Sequence, residues 1–152
     1  MRILAIDPGP EKSAYVVIEN GAVIEFAKLK NHELMAVVEL SQKIGYRVVI
    51  EMIASYGMSV GAEVFETCVW IGRFIEVTKG DADRIFRKDV KMHLCGNTRA
   101  NDSNIRQALI DRYGPGKEAA IGKKSSPGPL YGVSGDVWAA LAVAVTYEDG
   151  CK

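Results

Sequence analysis

The chain has 152 residues, 48% of them hydrophobic and 25% charged, with no formal net charge. That composition describes one globular domain with a real core, and it excludes a disordered or fibrous chain. Zero net charge excludes a uniformly basic nucleic-acid binder, and no apolar run approaches the roughly 20 residues of a membrane span.

Residues 2–7, "RILAID", read as a buried strand that ends on an acid. "SAYVVIENGAVIEFAKL" follows, two apolar runs flanking Asn20-Gly21, the strongest short hairpin signal. Strands over 2–7, 13–19 and 22–28 therefore form an antiparallel meander. Residues 31–44 place Leu34, Val37, Leu40 and Ile44 at helical spacing. "RVVIE" at 47–51 is a short continuous apolar run, the pattern of a central strand buried on both faces. A helix over 59–77 carries Val60, Val64, Cys68, Ile71 and Ile75 on one stripe, with Phe65, Val69 and Trp70 beside it. So broad an apolar surface suggests packing on two sides, the second against another subunit.

"ADRIFRK" at 82–88 reads as a strand. "DVKMHL" and "DSNIRQALIDRYG" read as helices, the latter starting at an Asp/Ser cap and stopping at Gly114. Residues 114–132 are rich in glycine and proline and read as a long exposed loop. Asp136 opens "DVWAALAVAVTY", a helix apolar nearly all round and therefore buried. A meander followed by alternating helices and strands gives an α/β class with a mixed sheet, as a single domain over 1–152. No secretory leader opens the chain. Cys68, Cys95 and Cys151 stand at unrelated spacings, which fits reduced thiols in a cytoplasmic protein better than disulfides or a zinc site.

Charge is unevenly spread. Residues 84–124 hold ten basic side chains against four acidic ones, a local excess suited to a phosphate backbone. A solvated surface that happens to be basic would look the same.

Three acids punctuate the apolar segments. Asp7 closes "ILAI", Glu51 closes "VVI", and Asp136 begins the buried helix. If the two strands are neighbours, Asp7 and Glu51 emerge side by side at one sheet edge, with Asp136 able to pack against it. Carboxylates converging where water is scarce need a counter-charge, and oxygen-only donors suit Mg²⁺ or Mn²⁺. Two such ions form the clamp used for in-line attack on phosphodiesters. Singly, each acid has an ordinary explanation: a Pro-Gly turn after Asp7, a strand end at Glu51, a helix N-cap at Asp136.

Together, "ILAIDPG", "VVIEMIASYG", "DVKMHLCGNTRANDSNIRQAL" and "DVWAALAVA", in this order, resemble the ribonuclease H-like nucleases. Among these they are most similar to the RuvC-type Holliday-junction resolvases, in a small form of phage or prophage type. The resemblance spans most of the chain. It implies a ribonuclease H-like fold, with a five-stranded mixed sheet and helices on both faces. It also implies a divalent-metal-dependent endonuclease that hydrolyses branched DNA, four-way junctions above all, through metal-activated water, leaving a 5′ phosphate and a 3′ hydroxyl. Asp7, Glu51 and Asp136 would hold one or two Mg²⁺ (or Mn²⁺) per subunit, and Lys91 would act near the scissile phosphate. The family usually carries a second acid or histidine one helical turn beyond the last aspartate. Here that position is Ala139, which puts the second ion in question. Paired cutting of a junction would need a homodimer.

Further DNA contacts are expected from Arg87 and Lys88 in the basic segment. Asn97 and Arg99 follow Gly96 and can present an amide nest and a guanidinium to phosphate; a helix C-cap with its turn is the alternative. Tyr56, in the loop after Glu51, can stack on an unpaired base, or be simply half-buried. Lys123 and Lys124 suit a DNA arm, or a solvated loop. His93 reads as a satisfied helix residue, and Trp70 and Trp138 as core or subunit contacts. Two other readings remain: a looser nuclease acting on flaps and branches, and a non-catalytic DNA-binding module on the same fold. A dinucleotide- or sugar-phosphate-binding protein is disfavoured, because no glycine-rich phosphate loop follows the first strand.

Overall fold

All 152 residues are described by the computed structural model. Strands β1 (Arg2–Asp7), β2 (Lys12–Glu19) and β3 (Ala22–Lys30) form the expected antiparallel meander. Asn20 and Gly21 turn the β2–β3 hairpin with both residues left-handed, at φ 49° and 82°, as a tight two-residue turn requires. The β1–β2 link is stapled by side chains. The Gly9 amide donates to Ser13 Oγ at 3.0 Å, and Asn31 Nδ2 donates to the Gly9 carbonyl at 2.9 Å. A Cβ at Gly9 would lie 2.3 Å from the Lys12 carbonyl oxygen, so the Pro-Gly pair after Asp7 is there because only glycine lets the two backbones approach.

Helix α1 (Asn31–Lys43) leads to β4 (Arg47–Met52), helix α2 (Ala62–Val77) and β5 (Ala82–Phe86). β4 lies parallel to β1 and β5 parallel to β4, giving the sheet order β3-β2-β1-β4-β5. Alternation along the strands separates two cores. Leu4, Ile6, Tyr15, Val17, Val48 and Ile50 face Trp70, Ile71 and Phe74 of α2 and Leu34 and Val38 of α1. Ile3, Ala5, Ala14, Val16, Ile18 and Val49 face the last helix of the chain, over Val137–Gly150.

The second half begins with α3 (Arg87–Cys95) and α4 (Asp102–Tyr113). It then folds a short helix α5 (Lys117–Ala120), a two-stranded ribbon β6 (Gly122–Lys123) and β7 (Ser126–Pro127), and α6 (Val137–Gly150). Helix α6 buries nine of its residues, as an all-round apolar helix must.

Beyond shifts of one or two residues at strand and helix ends, four features differ from the sequence reading. β5 ends at Phe86, so Arg87 and Lys88 stand on the first turn of α3 rather than on a strand. Helix α2 starts at Ala62, after an extended Gly61. The α4 cap is Asn101 rather than Asp102 or Ser103. Its side chain accepts the Asn104 amide at 2.9 Å while the Asn104 side chain accepts the Asn101 amide at 3.0 Å, a reciprocal box that frees Asp102 for another partner. The 114–132 segment is partly folded: Ala120 and Leu130 are fully buried, and the Leu130 amide donates to the Ala120 carbonyl at 2.8 Å. A Cβ at Gly128 would meet the Ala119 carbonyl at 2.5 Å, so this glycine marks a close backbone crossing rather than a loose loop.

Candidate active site

Register brings the acids together. Asp7 pairs with Ala14, and Ala14 pairs with Lys28 on β3. Asp7 also lies one residue beyond the Ile6–Ile50 pair, which places it beside Glu51 on the parallel neighbour. Glu51 in turn pairs with Ile85 on β5. Lys28, Ala14, Asp7, Glu51 and Ile85 thus form one row across the sheet. Asp7 keeps step with Ile3 and Ala5, and Glu51 with Val49, so both carboxylates point to the α6 side.

Crowding has an electrostatic consequence. Burial, followed by the charges of Glu51 and Asp136, pushes the Asp7 carboxyl up to about 7. Burial likewise raises Glu51, with the Arg87 guanidinium pulling against it. Both shifts penalise the ionised form. Asp136 behaves differently. It precedes α6 without capping it through its side chain, is half-exposed, and is held by Lys28 Nζ at 2.6 Å. No group of three acid, histidine or cysteine side chains stands close enough to form a ready-made metal cluster. The expected three-acid pocket is therefore an Asp7–Glu51 pair with Asp136 within Coulombic reach of Asp7 but engaged by a lysine. The physical reason is mutual repulsion, relieved here by Lys28.

The donor set nevertheless fits a hard divalent ion. All the side chains are oxygen donors. Glu51 Oε2 is buried and accepts no hydrogen bond, with the Arg87 guanidinium facing it at 3.6 Å, so its lone pairs remain open to a metal ion. Asp7, pushed up by burial and by the charges of Glu51 and Asp136 against the pull of Arg87 and Lys28, would be relieved by a bound cation. Asp7 and Glu51 would hold such an ion, with Asp136 joining on release from Lys28.

Two cavities flank the carboxylates. One of about 630 Å³ is lined by Glu51, Tyr56, Arg87, Lys88, Lys91 and Thr98 among others. Thus four of the expected DNA-contacting or catalytic side chains share a cavity with the second acid. Tyr56 is exposed and left-handed at φ 50°, followed by Gly57 at 81°, which costs backbone strain for a bulky residue. The other cavity, of about 450 Å³, lies between the starts of α4 and α6, with Arg87, Asp102, Arg106, Asp136, Trp138 and Ala139 in its wall.

Other expected residues are not gathered there. Asn97 and Arg99 line a separate cavity with Asn104 and Gln107. The Asn97 side chain accepts the Arg99 amide at 2.9 Å after a left-handed Gly96 at φ 69°, the geometry of a helix C-cap and turn. Lys123 and the neighbouring Lys124 stand exposed at the β6–β7 ribbon. His93 is paired through Nε2 with Asp149 at 2.7 Å, and Trp70 and Trp138 are buried.

Three residues escaped sequence reasoning. Lys28 was the last residue of the expected third strand, and only the hairpin register reveals that it shares a row with Asp7. Asp102 read as a helix cap but binds Arg87. Arg106 lies over the Trp138 ring, 5.0 Å from its centroid; no local signal in the sequence couples the two.

No protein-family model and no curated protein matches the sequence. Solved structures do match. The Thermus thermophilus RuvC structure superposes with a TM-score of 0.65 at 17% identity, over 97% of this chain and 93% of that one. T. thermophilus RuvC in complex with its Holliday junction substrate gives 0.66 at 15% identity, over 99% and 94%. The chain thus has, over nearly its whole length, the RuvC-like fold of the ribonuclease H-like class that the four sequence segments implied.

Proposed function

We propose that this protein is a divalent-metal-dependent endonuclease for branched DNA, acting on four-way junctions as a homodimer. The observation that carries the reading is the Asp7–Glu51 pair. A half-buried Asp7 and a buried Glu51 sit side by side on adjacent parallel strands, the first pushed up to about 7 and the second with an oxygen that accepts no hydrogen bond. The similarity to a RuvC solved with a junction supports the choice of substrate. Three free cysteines suit work in the reducing cytoplasm.

Asp7, Glu51 and Asp136 would hold Mg²⁺ or Mn²⁺. When bound, the ion would lower the pKa of water and neutralise charge on the phosphate. The remaining roles fall to the chain itself. Asp7 and Glu51 orient the attack, since both face the start of α6 from one row of the sheet. Lys91, in the cavity with Glu51, neutralises the backbone beside the scissile phosphate. Tyr56, exposed at the mouth of the same cavity, stacks on a base unpaired at the branch point. Arg87 and Lys88 hold the phosphates entering that cavity. Asn97, Arg99, Lys123 and Lys124, away from the carboxylates, hold the arms of the DNA. In hydrolysis the water oxygen bonds to phosphorus as the P–O3′ bond breaks. Water releases one proton to solvent and the leaving O3′ takes one up. Selectivity comes from the shape and deformability of the branch.

The test is cleavage of four-way, three-way and flap DNA with and without Mg²⁺ and Mn²⁺. Cutting of the four-way junction in symmetry-related strands is the expected result. Equal cutting of flaps would replace the reading by a broader structure-selective nuclease. Tight junction binding with no cutting under any metal or pH would replace it by a DNA-binding module.

A further inference from the structure

Arg87 stands between two carboxylates. Its Nη1 lies 3.6 Å from Glu51 Oε2, and its Nη2 is bonded to Asp102 Oδ1. Glu51 is only 9% exposed and that oxygen accepts no hydrogen bond, so the guanidinium is the cation facing it. Arg87 opens α3 two residues after Ile85, the register partner of Glu51, which brings its guanidinium within reach of that carboxylate. It also borders both cavities, the one with Lys91 and the one with Asp136 and Ala139.

A clamp of two divalent ions needs anionic donors on both of its sides. Here the pair Asp7–Glu51 supplies donors on one side. The α6 wall beyond Asp136 offers the methyl group of Ala139, and a fixed positive charge already occupies the space beside Glu51. We infer that Arg87 is a built-in cation that takes the place of one of the two ions, so that the chain works with a single divalent ion and a guanidinium. This rests on the nuclease reading above and assigns Arg87 a different task from general phosphate contact. As the water oxygen bonds to phosphorus and the P–O3′ bond breaks, negative charge grows on the non-bridging oxygens and on O3′, before that oxygen takes its proton from solvent. A guanidinium can donate two parallel N–H groups to such oxygens and does not itself lose a proton. Asp102 is a positioning residue: it grips one edge of the fork and leaves another for the phosphate.

The test titrates Mn²⁺ alone into the metal-free protein by calorimetry and electron paramagnetic resonance. Separately, it measures junction cleavage. Wild type is expected to bind one Mn²⁺ per chain, and the Arg87→Gln, Ala139→Asp double variant two. Arg87→Gln should cut at least about 100-fold more slowly, the loss typical of removing a group that stabilises transition-state charge. Arg87→Lys should recover part of that rate. Two Mn²⁺ per wild-type chain, or Arg87→Gln cutting within about threefold of wild type, would overturn the inference. If Arg87→Gln fails to fold, Ala139→Asp alone decides: one ion supports the inference, two overturn it. A wild type that binds one Mn²⁺ yet cuts no branched DNA would bear out the ion count and sink the nuclease reading instead.

Discussion

A carboxylate at the end of a buried strand gives up its proton less readily than one in water, and Asp7 shows by how much. Burial and two neighbouring acids raise it to about 7. The unfolded chain would release that proton near the ordinary carboxylate value of about 4. The folded metal-free protein therefore binds the extra proton between these values. Its stability is full below the lower value, falls as pH rises toward 7, and stays reduced above. Asp7→Asn is expected to flatten that decline and raise the melting temperature of the chelated protein at pH 8, an effect of a few kcal/mol at most. The same variant should lose cleavage by more than about 100-fold. It should keep or tighten junction binding, because repulsion between carboxylate and phosphate falls. Full cleavage by Asp7→Asn would remove the residue from the mechanism.

Asp149 has the opposite sign. Hydrogen bonds from Arg112, at 2.6 and 2.7 Å, and then from His93 hold it well below the usual carboxylate range. Its contribution is present above the unfolded value of about 4 and is lost as pH falls through the depressed folded value. Asp149→Asn should therefore destabilise the protein at neutral pH and flatten the acid limb of a melting curve taken from pH 2 to 7. An unchanged acid limb would show that the Arg112–Asp149–His93 cluster adds nothing to the fold.

Among the elements, α4 is the one whose start decides the site. Its reciprocal Asn101–Asn104 box satisfies two terminal amides. It also leaves Asp102, the first residue of the helix, to grip Arg87. Asn101→Ala should lower stability by about 1 kcal/mol, read from the urea midpoint. It should also weaken cleavage, because the anchor of Arg87 moves with the first turn. Helix α2 carries a different message. Trp70, Ile71 and Phe74 are buried against the sheet, whereas Phe65 and Val69 remain 62% and 53% exposed one turn apart. The apolar breadth of α2 in the sequence is thus only half used within one chain.

At the scale of the whole molecule, that uncovered face is where a second subunit would pack on the homodimer reading proposed above. Phe65→Glu is expected to shift the protein to monomer in analytical ultracentrifugation. It should also convert paired cutting of a junction into single nicks, without disturbing the far-ultraviolet circular dichroism. A dimer that survives the substitution would move the interface elsewhere. No helix is long and apolar enough to cross a membrane, and the basic excess lies in residues 84–124, from β5 to the β6–β7 ribbon.

Periodicity and turn chemistry carry the architecture of this protein in its sequence. The Asn20-Gly21 hairpin, the unbroken apolar run of β4 and the all-round apolar α6 each have one stable solution, because local backbone preference and burial agree. The acids at Asp7 and Glu51 were legible for the same reason: each follows the apolar run of a central strand, Asp7 as its last residue and Glu51 as its last but one. The tertiary structure alone decided what those acids meet. Lys28 shares a row with Asp7 through a register spanning three strands and meets Asp136 only where α6 packs on the sheet, and Asp102 is left to Arg87 because Asn101 takes the cap. The folded 114–132 segment is held by backbone bonds that leave no apolar pattern. Such pairings join residues 15 to 108 positions apart. Their partner is chosen by strand register and helix packing, and no local stretch of sequence records that choice.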